Sequence, residues 1–343
     1  MRAAVMRNSK LVVDHVPDPE PQEGEVLVKT LACGICGSDL HALKHADKMV
    51  EIARETGALF VLDITRDIVM GHEFCAEVVD YGPNTGGAVR AGDRVVSMPI
   101  LFRGGRMEGV GYSNEAPGGY GELMTLSSAM VLAVPNGLAT EHAALTEPMA
   151  VGVHAVNKAR MESHDAPLVI GCGPVGLAVI AALKLRGVEP IVAADFSPLR
   201  RALAERMGAH VVVNPAERRA IDAFNEAANM RPAVIFECVG IPGLLHQVMR
   251  EAPLGARIVV AGVCMEDDLI KPMLGINKEL NLQFVLGYTP EEFAQTLQAI
   301  ADGRIDVAPM ITGRVGVDGV PGAFDTLAKP DTHAKILVEP WRT

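Results

Sequence analysis

Three short stretches of this chain carry side chains whose types and spacing suit one kind of chemistry. Cys36-Gly-Ser-Asp-Leu-His41 and Gly71-His72-Glu73 supply a soft thiolate, an imidazole and a carboxylate. Zinc accepts that donor set and keeps one position open when three protein groups hold it. Gly171-Cys-Gly-Pro-Val-Gly176 is the turn a dinucleotide needs where a strand passes into a helix. A Lewis-acid metal beside a nicotinamide moves hydride to or from a carbon–oxygen bond. No single motif carries that reading; their order and spacing do.

Cys36 and His72 lie 36 residues apart, so only the fold can bring them together. Glu73 follows His72 directly and is either a ligand or a group that orients one. Glu147, in Thr146-Glu-Pro-Met-Ala150, is the best third ligand from elsewhere in the chain. Each of these has a plainer reading. His72 alone suits a satisfied core histidine, and Glu147 alone suits a carboxylate at a helix start. Cys33 and Cys36 form a C-x-x-C that could be redox-active, although the following Gly-Ser-Asp-Leu-His suits metal and proton chemistry better. Cys75, Cys172, Cys238 and Cys264 read as small buried hydrophobes.

In the glycine-rich turn, Gly171 permits the bend, Gly173 lets backbone approach a pyrophosphate, and Gly176 allows helix and strand to pack closely. The helix opening at Pro174 and Val175 points its first amides at the phosphates. Asp195 follows Gly176 by 19 residues, at the end of the next strand. An acidic side chain there takes the adenosine ribose hydroxyls and repels a 2′-phosphate, which favours NAD over NADP. Arg200 and Arg201 work the other way, since an arginine there can accommodate a phosphate. Arg200, Val239 and Val263 complete the expected cofactor contacts.

Something must position these groups. A chain of 343 residues suggests about two domains. Up to about residue 150 it reads as short strands and turns, such as Glu25–Thr30, Glu77–Asp80 and Asp93–Ser97. From Pro167 strands and helices alternate: 168–170, a helix near 175–186, 190–194, a helix near 198–207, then 211–213, 233–236 and 257–261. Short apolar strands separated by helices mean an α/β fold with a parallel sheet covered on both faces, a Rossmann arrangement. A helix near 290–302 and a last strand, Lys335–Val338, are expected to return to the first domain.

The bulk composition removes several classes. A formal net charge of −11, with no basic run longer than a pair, argues against nucleic acid as partner. Six scattered cysteines suit a reduced, cytoplasmic protein better than a disulfide scaffold. The first ten residues lack the apolar region of a signal peptide. Residues 166–183 carry no charge, but their clustered glycines and prolines suit strand, turn and buried helix rather than a membrane span. The stretch 42–70 separates the two metal motifs. In it, Asp47 is expected to cap a short helix with Met49, Ile52 and Ala53 on one face, stopped by Gly57, and Ala58–Leu62 to be extended. This insert is either a surface elaboration or a functional element, a wall over the substrate or a subunit contact.

Together with Ala91-Gly-Asp-Arg-Val-Val96, Gly118-Gly-Tyr-Gly-Glu122 and Glu147-Pro-Met-Ala-Val151, these motifs run in one order along essentially the whole chain. In that combination the sequence resembles the zinc-dependent medium-chain alcohol dehydrogenases. It looks most similar to the polyol, butanediol and threonine dehydrogenase branches, which carry Glu-Pro at the third metal position. The resemblance implies a mostly β, chaperonin-10-like catalytic domain over 1–150. It implies a Rossmann NAD-binding domain over 151–287 and a C-terminal return over 288–343, with the active site between the domains. It further implies one catalytic zinc at Cys36, His72 and Glu147, with Glu73 nearby and able to exchange with water. Ser38 would contact the substrate oxygen and His41 would pass the proton outward through the cofactor ribose. Relatives often hold a second, structural zinc with four cysteines. This chain has no cysteine between Cys75 and Cys172, so that site is absent and the 103–112 loop must be held otherwise. The apolar edge near 257–287 resembles the strand that pairs subunits, which implies a homodimer or homotetramer.

The expected reaction is NAD-dependent oxidation of a secondary alcohol, diol, polyol or amino alcohol, and its reverse. Pro99–Phe102, the 42–70 insert and Tyr288 are expected around the substrate. Two other readings compete: a zinc-free quinone or enone reductase of the same superfamily, and a non-catalytic NAD-binding protein.

Overall fold

A computed structural model describes the chain except residues 58–61, 87, 88, 136, 330 and 343. Two sheets organise it. Six parallel strands run in the spatial order Val211–Val213, Val192–Ala194, Ala166–Ile170, Ala233–Glu237, Arg257–Val260 and Asn281–Phe284. Counted from the strand that begins at Ala166, this is the 3-2-1-4-5-6 order of a Rossmann sheet, whose strand order reverses beside the first strand. The strands are apolar throughout because both faces are covered. Phe236 enters the core with Leu177, Ile180 and Met149, while its neighbour Ile235 enters the opposite core with Phe224, Val248 and Ile258.

The second sheet is mostly antiparallel and contains Val131–Ala133, Arg94–Ser97, Glu73–Tyr81, Glu25–Gly34, Lys335–Val338 and Ile311–Val315 in that order. Leu123–Ser127 also pairs with Glu25–Gly34. In this sheet Leu337 and Val338 pair with Gly34 and Cys33, next to the metal motif. A smaller sheet joins Lys10–His15, Arg2–Arg7 and Ile68–Val69, and a hairpin pairs Ile100–Arg103 with Arg106–Gly109. Residue 150 falls inside the helix Thr146–Lys158, which packs on the first helix of the Rossmann unit, Pro174–Leu185.

The 42–70 stretch departs from expectation. Among the described residues the Asp47 side chain caps no backbone N–H of the second segment, and Gly37–Thr56 is helical on both sides of a kink at His45. Its buried face is Ala42, Ala46 and Val50, at helical spacing, and Ile52 is exposed. The reason lies upstream: Asp39 caps this helix from its first turn, so the helix starts where the metal motif does. Gly57 stops the helix in the left-handed region, as expected. The extended run expected over 58–62 lies outside the described residues except for Leu62. No helix among the described residues is long and apolar enough to cross a membrane, and residues 166–183 form strand, turn and helix.

Candidate active site

The sheet and the long helix deliver the first two motifs to one place. Glu25–Gly34 ends at Gly34, Cys36 precedes the helix Gly37–Thr56, and Glu73 opens the neighbouring strand. The ligand atoms of Cys36, His72 and Glu73 all lie within 4.8 Å of one another. A thiolate, an imidazole and a carboxylate converging in a buried site fit zinc by donor type and by number.

The residues around that group fix it. Asp39 is fully buried and accepts the backbone N–H of Cys36 at 3.0 Å. It also meets the phenols of Tyr120, at 2.5 Å, and Tyr112, at 3.0 Å. Its Oδ1 faces His72 Nδ1 at 3.4 Å, longer than a hydrogen bond, so that buried nitrogen has no close partner. Burial works against charge at both groups, yet each charge stabilises the other. The imidazole is held well above its ordinary range and the Asp39 carboxyl below its own. A carboxylate facing one ring nitrogen is the arrangement that turns the other toward a metal.

Glu73 is held from behind. Lys335, on the returning strand, reaches both carboxylate oxygens at 2.7 and 2.6 Å and donates to the Ile35 carbonyl at 2.9 Å. Both side chains are fully buried. Burial opposes the Lys335 charge, but the facing Glu73 keeps its pKa above the usual lysine range. Glu147 sits in the first turn of Thr146–Lys158, outside the 4.8 Å group. Burial pushes its carboxyl up to about 7, with His72 and Tyr288 opposing and Glu73 adding to the rise. Burial, with the Glu147 carboxylate beside it, pushes the Tyr288 phenol well above its ordinary range.

Ser38 and His41 are on successive turns of Gly37–Thr56. The Ser38 hydroxyl meets the Tyr112 phenol at 2.8 Å, and the His41 ring stacks on His45 at 6.4 Å between centroids. Among the described residues no hydrogen bond joins Ser38 to His41. Cys33 is buried, and burial, with Asp39 and Glu73 beside it, pushes its thiol well up. A neutral, enclosed thiol is a poor redox nucleophile, and all six cysteines are free.

At the second site, Gly171 has φ of 90°, and a Cβ on Gly176 would fall 1.9 Å from the Gly171 carbonyl oxygen. Only glycines permit that strand–helix contact. Gly173, by contrast, faces open space bounded by the Arg200 guanidinium, 3.8 Å from where its Cβ would be. An open amide turn, a helix start and the Arg200 guanidinium, whose buried Nε has no hydrogen-bond partner among the described residues, fit a dinucleotide phosphate. The Asp195 carboxylate accepts backbone N–H groups from Cys172 (2.7 Å) and Ser197 (2.8 Å), which fixes it at the strand end. Val239 and Val263 are partly exposed beyond the ends of Ala233–Glu237 and Arg257–Val260, and Val239 lies against Gly171.

Sequence alone does not single out Asp39, Tyr112, Tyr120 or Lys335. Asp39 was within the first motif, three residues after Cys36. Lys335 carried no local signal, because its partner is 262 residues away.

A zinc-fitting site and a dinucleotide turn in two such sheets define a class. Residues 22–136 match the alcohol dehydrogenase GroES-like domain and residues 174–302 the zinc-binding dehydrogenase domain. The chain belongs to the zinc-dependent medium-chain alcohol dehydrogenase family, and it is an enzyme acting on CH–OH donors. It is 31% identical to (R,R)-butanediol dehydrogenase of Bacillus subtilis over 351 residues, covering 99% of this chain and all of that one. Sorbitol dehydrogenase of the same organism is 27% identical, over 100% of this chain and 98% of its own. The crystal structure of 2R,3R-butanediol dehydrogenase from Bacillus subtilis superposes with a TM-score of 0.84 at 30% identity, covering 99% of both chains. Membership sets aside the zinc-free reductase and the non-catalytic reading.

Proposed function

We propose that this enzyme oxidises a vicinal diol, polyol or amino alcohol with NAD, using a single catalytic zinc. The observation that carries the reading is the convergence of Cys36, His72 and Glu73, with the buried Glu147 carboxylate near enough to interact with His72 and Glu73. Cys36 and His72 are the constant ligands in this reading. Glu147 and Glu73 share the third position, Glu73 being drawn back by Lys335. When bound, zinc supplies Lewis acidity to a substrate oxygen and NAD accepts the hydride. The chain's own groups do the rest. Asp39 orients His72, the Ser38 oxygen takes a hydrogen bond from the substrate hydroxyl, and His41 leads the proton outward. Carboxylates at the third position make a harder site than cysteine would, which suits a substrate offering two adjacent oxygens. The domains divide near residues 150 and 287, with 288–343 returning to the catalytic domain.

The test is zinc content of the purified protein together with NAD reduction across simple alcohols, vicinal diols, polyols and threonine. One zinc per subunit and fastest turnover on a vicinal substrate is expected. Faster turnover of simple alcohols would overturn the substrate class.

Asp195 should set the coenzyme. Its carboxylate is fixed by two backbone amides, so a 2′-phosphate would meet an immovable like charge. Asp195→Asn is expected to raise the NADP-to-NAD ratio of kcat/KM at least about tenfold, roughly 1.4 kcal/mol. An unchanged ratio would remove Asp195 from this role.

The reading includes a homo-oligomer in the cytoplasm. The six free thiols suit a reducing compartment. Asn281–Phe284 is the edge strand of its sheet, and Phe284, Leu286 (90% exposed), Met273 and Ile276 are exposed around it. An apolar sheet edge of this kind invites pairing with a second copy. Leu286→Glu is expected to yield monomers by light scattering; an unaltered mass would place the interface elsewhere.

A further inference from the structure

The hairpin Ile100–Arg103/Arg106–Gly109 and the turn after it reach the active site with no cysteine to fasten them. A salt bridge anchors them instead. Arg103 donates from Nε to Glu25 Oε1 at 2.9 Å and from Nη2 to Glu25 Oε2 at 2.7 Å. Its Nη1 donates to the Glu115 carbonyl at 2.9 Å, closing the base of the lobe. Glu25 is fully buried on the central strand Glu25–Gly34. Ser113 Oγ donates to Glu108 at 2.7 Å, and the Asn114 amide donates to the carbonyls of Asp63 and Asp67.

The lobe's inner end touches the metal motif directly. Gly111, with φ of 83°, sits where a Cβ would come within 2.8–3.0 Å of the Gly71 backbone. The next residue is Tyr112, whose ring centroid is 5.1 Å from that of His72. Its phenol lies 2.8 Å from Ser38 Oγ and 3.0 Å from Asp39 Oδ1. A phenol has one proton, and an ionised carboxylate can only accept. The phenol proton therefore goes to Asp39, and the Ser38 hydroxyl turns its own proton to the phenol oxygen. That leaves the Ser38 lone pairs free for a substrate hydroxyl in the resting site, and the Ser38 hydroxyl turns its own proton outward toward the cofactor ribose and His41 as it takes up the substrate proton.

We infer that Arg103 and Tyr112 are positioning residues for the dehydrogenase reaction. Arg103 fastens the 100–115 lobe through Glu25 and Glu115, and Tyr112, carried on that lobe, fixes the Ser38 hydroxyl and the Asp39 carboxylate facing His72. The inference rests on the site reading above.

The test compares Tyr112→Phe, Arg103→Lys and the double variant with wild type. Tyr112→Phe keeps the ring and loses the phenol; kcat should fall about tenfold, with KM, zinc content and melting temperature unchanged. Arg103→Lys keeps the charge facing Glu25 but loses the fork. It should lower kcat and speed chymotrypsin cleavage within 100–115, a readout independent of turnover. If Arg103 acts through Tyr112, the double variant matches the slower single variant rather than the product of the two. Unchanged kcat in Tyr112→Phe overturns the role of Tyr112. Unchanged cleavage in Arg103→Lys, or a multiplicative double variant, overturns the route through the lobe. A wild type with no turnover on any alcohol would fail the site reading instead, and the cleavage result would still judge the anchor.

Discussion

Cys36→Ala is expected to lower kcat/KM for alcohol oxidation by at least about a thousandfold while leaving the protein folded. The thiol sits at the start of a 20-residue helix and is only partly buried, so its loss removes little packing. What it removes is one of the three converging donors. Lewis-acid assistance supplies several kcal/mol, and three powers of ten correspond to about 4 kcal/mol. Elemental analysis should find the variant without zinc, and circular dichroism should find it unaltered. Chelation of wild type should produce the same loss, reversed by added zinc. Full turnover in demonstrably metal-free protein would end the zinc reading.

The largest effect on stability is expected from Lys335→Met. The change strands the Glu73 carboxylate, fully buried, without the ammonium that now reaches both of its oxygens. Removing one partner of a buried pair costs about 3–5 kcal/mol, because the remaining charge is left uncompensated. The Ile35 carbonyl loses its donor as well. Calorimetry on metal-free protein should show a clearly lowered melting temperature. Adding Glu73→Gln should recover most of it by removing the stranded charge. A double variant no more stable than Lys335→Met would mean that lost packing, rather than charge, explains the effect.

These two positions also separate what could be read locally from what could not. Cys36 stands in a motif whose residues act on each other over one helical turn, and Asp39 reaches the backbone of Cys36 within it. The turn at Gly171–Gly176 is equally local, since its strand, glycines and helix are consecutive. The alternating texture after Pro167 gave the parallel sheet for the same reason: the strands are apolar because both faces are covered. The helix over 37–56 was only half legible. Its stop at Gly57 is a local left-handed conformation, whereas its start depends on a capping carboxylate that also serves His72.

Long-range pairing decided the remainder. Composition, charge and motif order determined a two-part α/β protein with a zinc-type donor set and a dinucleotide turn, because those signals are carried by neighbouring residues. That Glu73 rather than Glu147 joins Cys36 and His72 was decided by the tertiary fold, and that Lys335 secures Glu73 was decided by the pairing of strand 335–338 with strand 25–34. The 100–115 lobe that brings Tyr112 to Ser38 is tied to the central strand by the Arg103–Glu25 bridge, across 78 residues of chain. Such contacts form only once loops of that length have closed, and neither end carries a sequence pattern announcing its partner.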